Sequence, residues 1–146
     1  MTHKYIGTID FRGSVDITDP CYDRGVWCRM NDVKIKEGSY DCIAWYCGKR
    51  VGAIGIYLDG NIPLRKSMEL IGTIGVDAGL AGFFHNKPDY DDDAWGDFCT
   101  RTYRNGGSAW IVEDGFYSVS GYGDGEYDVR ANKEDGEIVA LEIRFL

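Results

Sequence analysis

Twenty glycines in 146 residues interrupt short runs rich in Val, Ile, Tyr and Trp, and this spacing constrains the fold more than any other feature. Glycine supplies positive φ in tight turns at no steric cost, so such a chain reads as many strands joined by tight connections. Residues 4–10 and 14–18 alternate apolar with polar side chains on either side of Arg12-Gly13 and read as a first hairpin. Past the turn-forming Asp19-Pro20 step, residues 33–36 and 39–47 flank Glu37-Gly38 and read as a second. The apolar run 51–58 contains Gly52 and Gly55, the mark of a bulge or of close backbone approach within a strand, and Asp59-Gly60-Asn61 ends it. Further strands are expected at 69–76, 110–112, 116–120, 126–131 and 137–145, with a tight loop over 77–82 and a connection at 132–136. One helix is expected at about 89–104. There Trp95, Phe98, Cys99 and Thr102 fall at i, i+3, i+4 and i+7, acidic residues fill the first turn, and Arg101 and Arg104 lie at the end. The fold class is mainly β: a single domain over 1–146, an antiparallel sandwich or barrel with one packed α-helix.

Composition narrows the function. With 44% hydrophobic and 14% aromatic residues, the chain carries enough apolar surface for a core, and at this length a domain buries roughly two thirds of its unfolded surface. The run 51–58 is far short of the roughly twenty apolar residues of a spanning helix, and residues 1–5 show no secretory leader, so no membrane role and a cytoplasmic location are expected. Against 24 acidic residues stand 16 basic ones, a net charge of −8 with no basic cluster. Direct nucleic-acid binding, which rests on cations that release counterions, is therefore not expected. An acidic chain is suited to a basic protein surface instead.

Five cysteines without a secretory leader read as thiols and not as a disulfide framework. Cys21 and Cys28 lie in one loop, separated by six residues, and Cys99 sits on the expected helix, so three thiolates converge if that helix packs over the loop. The fourth ligand of a structural zinc site is then sought among His85, Asp19, Cys42 and Cys47. Cys42 and Cys47 lie an odd number apart on one strand and face opposite sides, which disfavours joint chelation. The bland alternative is that the cysteines simply pack as small hydrophobes. Asp89, Asp91 and Asp93 begin like a calcium loop, but Ala94 and Thr100 stand where Gly and Glu are required. With Asp92, they read as carboxylates at a helix N-terminus. Asp124-Gly125-Glu126 and Asp135-Gly136 read as turns. Only His3 and His85 are available for acid-base work, and no nucleophile elbow, phosphate loop or paired-histidine zinc motif is present, so no enzyme is expected. Exposed members among Trp27, Trp45, Trp95 and Trp110 would be recognition hot spots.

Three stretches together resemble a family of small bacterial and phage proteins known only as a domain of unknown function. They are residues 15–22 with Asp19-Pro20-Cys21-Tyr22 and the following Trp27-Cys28, residues 74–84, and residues 120–127 running to 136–141. The resemblance selects Cys21, Cys28 and the Trp95 to Cys99 helix, the same thiols as the spacing, and places Asp128 where the family sometimes carries another Cys. In kind, though not in motif, the chain also resembles metal-containing anti-CRISPR proteins that act on type II nucleases. That resemblance implies a non-enzymatic phage or prophage inhibitor of host defence. Its acidic face, formed by Asp89, Asp91, Asp92, Asp93, Asp124 and Glu126, would block DNA loading on an RNA-guided nuclease, and its zinc would be structural. The rivals are a metal- or thiol-dependent hydrolase with an open coordination position, and a housekeeping β-rich binding domain.

Overall fold

A computed structural model describes residues 1–22, 25–85, 108–112 and 115–146. Among them are eleven strands, β1 (Thr2–Phe11), β2 (Ser14–Thr18), β3 (Met30–Lys34), β4 (Gly38–Cys47), β5 (Arg50–Leu58), β6 (Glu69–Val76), β7 (Leu80–Phe84), β8 (Ala109–Val112), β9 (Gly115–Val119), β10 (Gly125–Glu134) and β11 (Glu137–Arg144), with one short 3-10 helix, Arg65–Ser67. The helix expected at 89–104, with Cys99 and Asp89, Asp91, Asp92 and Asp93, lies outside the described residues.

The strands form two antiparallel sheets, a six-stranded one in the order β1-β4-β5-β11-β10-β6 and a five-stranded one in the order β3-β2-β7-β9-β8. Neither closes on itself, so of the two expected architectures the barrel is set aside. Alternate residues of each strand point between the sheets. Phe11, Tyr40, Ile54 and Leu141 from the large sheet meet Ile17, Phe83 and Phe116 from the small one in a single buried cluster. Each such fully buried side chain contributes about 1.5–3 kcal/mol.

Two expected hairpins are corrected. β1 pairs with β4 and β2 with β3 and β7, so the bend at Arg12-Gly13 carries the chain from one sheet to the other. The same crossing recurs between β3 and β4. Alternation specifies which face of a strand is buried and says nothing about its partner, so adjacent strands of the sequence were joined where the chain in fact changes layer. The real hairpins are β4–β5, β8–β9 and β10–β11. The last turns at Asp135-Gly136 with φ of 52° and 82°, the paired positive values of a type I′ turn.

β5 is buried on both faces over residues 51–58. One face lies in the core. The other is covered by the segment 59–68, whose Met68 packs onto Ile43, Tyr57 and Ala140.

Candidate functional site

The cysteine loop follows β2. Asp19 is fully buried, and its carboxylate accepts three backbone N–H groups: Cys21 on one oxygen at 2.9 Å, Asp77 and Ala78 on the other at 2.9 and 2.7 Å. Burial pushes the Asp19 carboxyl above its usual range, against the pull of those three amides. Asp16, equally buried, pairs with Arg29 at 3.2 Å and accepts the Asp32 N–H at 2.9 Å. Arg29 also donates to the Tyr22 carbonyl at 2.7 Å. The loop is thus tied at its entry and its exit. Between these ties, Cys28 offers its carbonyl to the Gly75 N–H at 2.8 Å. Its Sγ lies 2.7 Å from where a Cβ at position 75 would sit, so only glycine admits this approach. The Tyr22 phenol, raised by burial first and by its bond to Cys28 second, belongs to the same contact.

These ties gather the three stretches that carried the resemblance. Asp19 holds the 77–79 turn, Ser120 donates its N–H to the Gly79 carbonyl at 2.8 Å, and Glu126 is the cross-strand partner of Gly75. Of the four described cysteines, Cys42 and Cys47 lie on β4, away from the loop that carries Cys21 and Cys28. Cys21 packs on Leu80, Phe84 and Tyr117, while Cys28 lies against β6. Cys42 is in the core, where burial pushes its thiol up to about 12, and Cys47 is exposed at the end of β4. The His85 ring lies 4.8 Å from that of Phe11. Among the described residues, no group of three or more His, Cys, Asp or Glu side chains is placed to hold a metal.

At this end of the molecule the surface is aromatic and acidic. Trp27, on the tied loop, is 86% exposed. Asp77, Asp124 and Glu126 are exposed at the end of the β6–β10 pair, whose Gly75 donates its N–H to the carbonyl of Cys28, the residue after Trp27. Tyr127 donates to the Gly123 carbonyl at 2.7 Å and steadies the turn that presents Asp124.

A second constellation, which sequence reasoning missed, lies on the outer face of the large sheet. Tyr57 Oη donates to Glu142 Oε2 at 2.7 Å and accepts the Trp45 indole N–H at 2.8 Å. Arg144 Nε donates to Glu142 Oε1 at 3.1 Å, and the His3 ring lies 4.8 Å from Trp45. Register explains the grouping: His3, Trp45, Ala53 and Arg144 lie in one cross-strand row, and Ile43, Gly55 and Glu142 in the next. A Cβ at position 55 would sit 2.2 Å from the Tyr57 hydroxyl. Gly55 therefore lets the phenol lie back along β5 to reach both partners. The glycine inside a strand run was the signal available in the sequence, and the close approach it marked is to a side chain of its own strand. Burial, then the Glu142 charge, raises the Tyr57 phenol, which keeps it a hydrogen-bond donor.

Compared with known proteins, the chain matches no family model, no curated protein and no solved structure. No helix among the described residues is long and apolar enough to cross a membrane.

Proposed function

We propose that the chain acts by docking on a protein, through the surface that Trp27, Asp77, Asp124 and Glu126 share, and that it is a non-enzymatic phage or prophage inhibitor of host defence. The observation that carries this reading is the 86% exposure of Trp27 on a loop held by an ion pair and backbone bonds on both sides. A large indole presented on a fixed loop loses little freedom on binding, and tryptophan is the residue most enriched among interface hot spots. The carboxylates around it suit a basic surface and speed encounter with one. The partner proposed is the nucleic-acid-binding surface of an RNA-guided nuclease, blocked by occupancy. A structural zinc on Cys21, Cys28 and Cys99 belongs to the same reading and would hold the loop.

Titration of such a nuclease with the purified protein tests it. Cleavage should fall at near-equimolar ratio, more steeply at low salt. Trp27→Ala and the pair Asp124→Lys and Glu126→Lys should each weaken inhibition with the fold intact. Inhibition that is unaltered by all three removes this surface from the model. Metal content by mass spectrometry, on protein purified without chelator and on Cys28→Ala, tests the zinc: about one per chain is expected in the parent and none in the variant.

A further inference from the structure

Over the Glu142 carboxylate, the 59–68 segment leaves a cavity of about 230 Å³, walled by Met1, Trp45, Ala53, Ile62, Pro63 and Leu64, with Arg65 beside it. A dry cavity of about 150 Å³ accepts benzene, so this one has room for a single ring with a short side chain. Its two charged residues are not equivalent. Glu142 is nearly buried, and both its oxygens are engaged, by Tyr57 and by Arg144 at 3.1 Å. A ligand cation would have to compete with Arg144 for that carboxylate. Arg65 is exposed, and its guanidinium has no ion-pair partner among the described residues. Its position is held by the backbone: the Arg65 carbonyl accepts both the Met68 N–H at 3.3 Å and the Arg144 guanidinium at 3.4 Å.

An apolar slot with a compensated floor and an uncompensated cation calls for an anionic group on an apolar body. We propose that this cavity binds a free small monocarboxylate bearing one aromatic ring or a branched alkyl group, its body against Trp45 and its carboxylate on Arg65. The Trp45 indole edge is committed to Tyr57, which leaves the ring as a fixed wall. This site lies on the β4–β5–β11 side of the sheet, away from the Trp27 surface beyond β6, and does not depend on the docking proposal. A peptide C-terminus carries the same carboxylate and apolar group, but it brings further backbone that the single-ring volume does not house.

Phenylacetate, phenethylamine and the tripeptide Gly-Gly-Phe distinguish the sources when each is titrated into isotopically labelled full-length protein. The resonances followed are the Trp45 indole N–H and the Arg65 backbone amide. Phenylacetate is expected to shift both saturably and to bind more tightly than either other probe. Arg65→Gln, an exposed position that leaves the fold alone, should weaken phenylacetate about tenfold, the scale of one charge-assisted hydrogen bond, and leave phenethylamine unchanged. The proposal is overturned if phenylacetate gives no saturable shift, if phenethylamine binds more tightly, or if Arg65→Gln binds phenylacetate as well as the parent does. Tighter binding of the tripeptide overturns it too, and assigns the cavity to peptide C-termini.

Discussion

Among the described residues, two places in this sandwich bury acidic side chains, and they satisfy them differently. At the cysteine loop, Asp19 is filled by three backbone amides, groups that persist through any side-chain change short of proline and that tie two loops together. On the outer face of the large sheet, Glu142 is satisfied by side chains alone, the Tyr57 hydroxyl and the Arg144 guanidinium, and it borders a cavity. A carboxylate caged by main chain is a fastener. Glu142, held by side chains, is the compensated floor of a cavity whose charged rim is Arg65. The comparison therefore assigns architecture to the Asp16–Asp19 region, which presents Trp27, and ligand chemistry to the Glu142 region.

The largest expected effect tests the fastener. Arg29→Ala strips the buried Asp16 of its ion pair, though not of the Asp32 N–H, and takes a donor from the Tyr22 carbonyl; by analogy with other broken buried pairs it should cost about 3–5 kcal/mol, read from urea unfolding. Removing the Tyr57 hydroxyl strikes the other region more gently: Tyr57→Phe deprives Glu142 and Trp45 of one bond each and should cost about 1–3 kcal/mol in the same assay. A cost equal to that of Arg29→Ala would erase the distinction between the two. Gly55→Ala reaches the same cluster through sterics, about 1–3 kcal/mol of overpacking, and should move the Trp45 indole resonance because the phenol must leave its bed.

Alkaline pH adds a graded effect. The Cys42 thiol is raised by burial from 9.0 to about 12, so it stays protonated in the fold while the unfolded chain ionises. Stability should be constant below about pH 9 and fall as pH rises toward about 12, by roughly 1.4 kcal/mol per unit from this group alone. Tyr40 and Tyr57, also raised chiefly by burial, act in the same direction. Unfolding free energy measured between pH 8 and 11 checks the slope, and Cys42→Ala should make it shallower. Smallest of all, Trp27→Ala should change stability by no more than about 0.5 kcal/mol, because an exposed side chain touches little. A larger loss would mean that the indole supports the loop and is not free to meet a partner.

Much of the strand content was legible. β6 is found at its expected 69–76 span, the Asp135-Gly136 turn joins the expected last pair, and Asp59-Gly60 ends β5 as read. Local signals suffice there, since turn residues and period-two alternation act over a few positions. Apart from that last pair, strand pairing was not legible. The chain passes between layers at Arg12-Gly13 and again before Gly38, and a change of sheet leaves no local mark that separates it from a hairpin. Of the candidate residues, Cys21, Cys28 and Asp19 do share one tied loop. Tyr57, Glu142 and Arg144 went unread because their meeting depends on the β5–β11 register, which joins positions 85 residues apart in the case of Tyr57 and Glu142.

That junction bears on how the chain is made. β5 sits between β4 and β11, so one of its edges stays unpaired until residues 137–144 leave the ribosome. Until then, this strand offers open amides and carbonyls to whatever is near. The nascent protein is thus vulnerable to self-association between the emergence of β5 and that of β11, and a holdase that covers β5 would protect it best before β11 closes the seam.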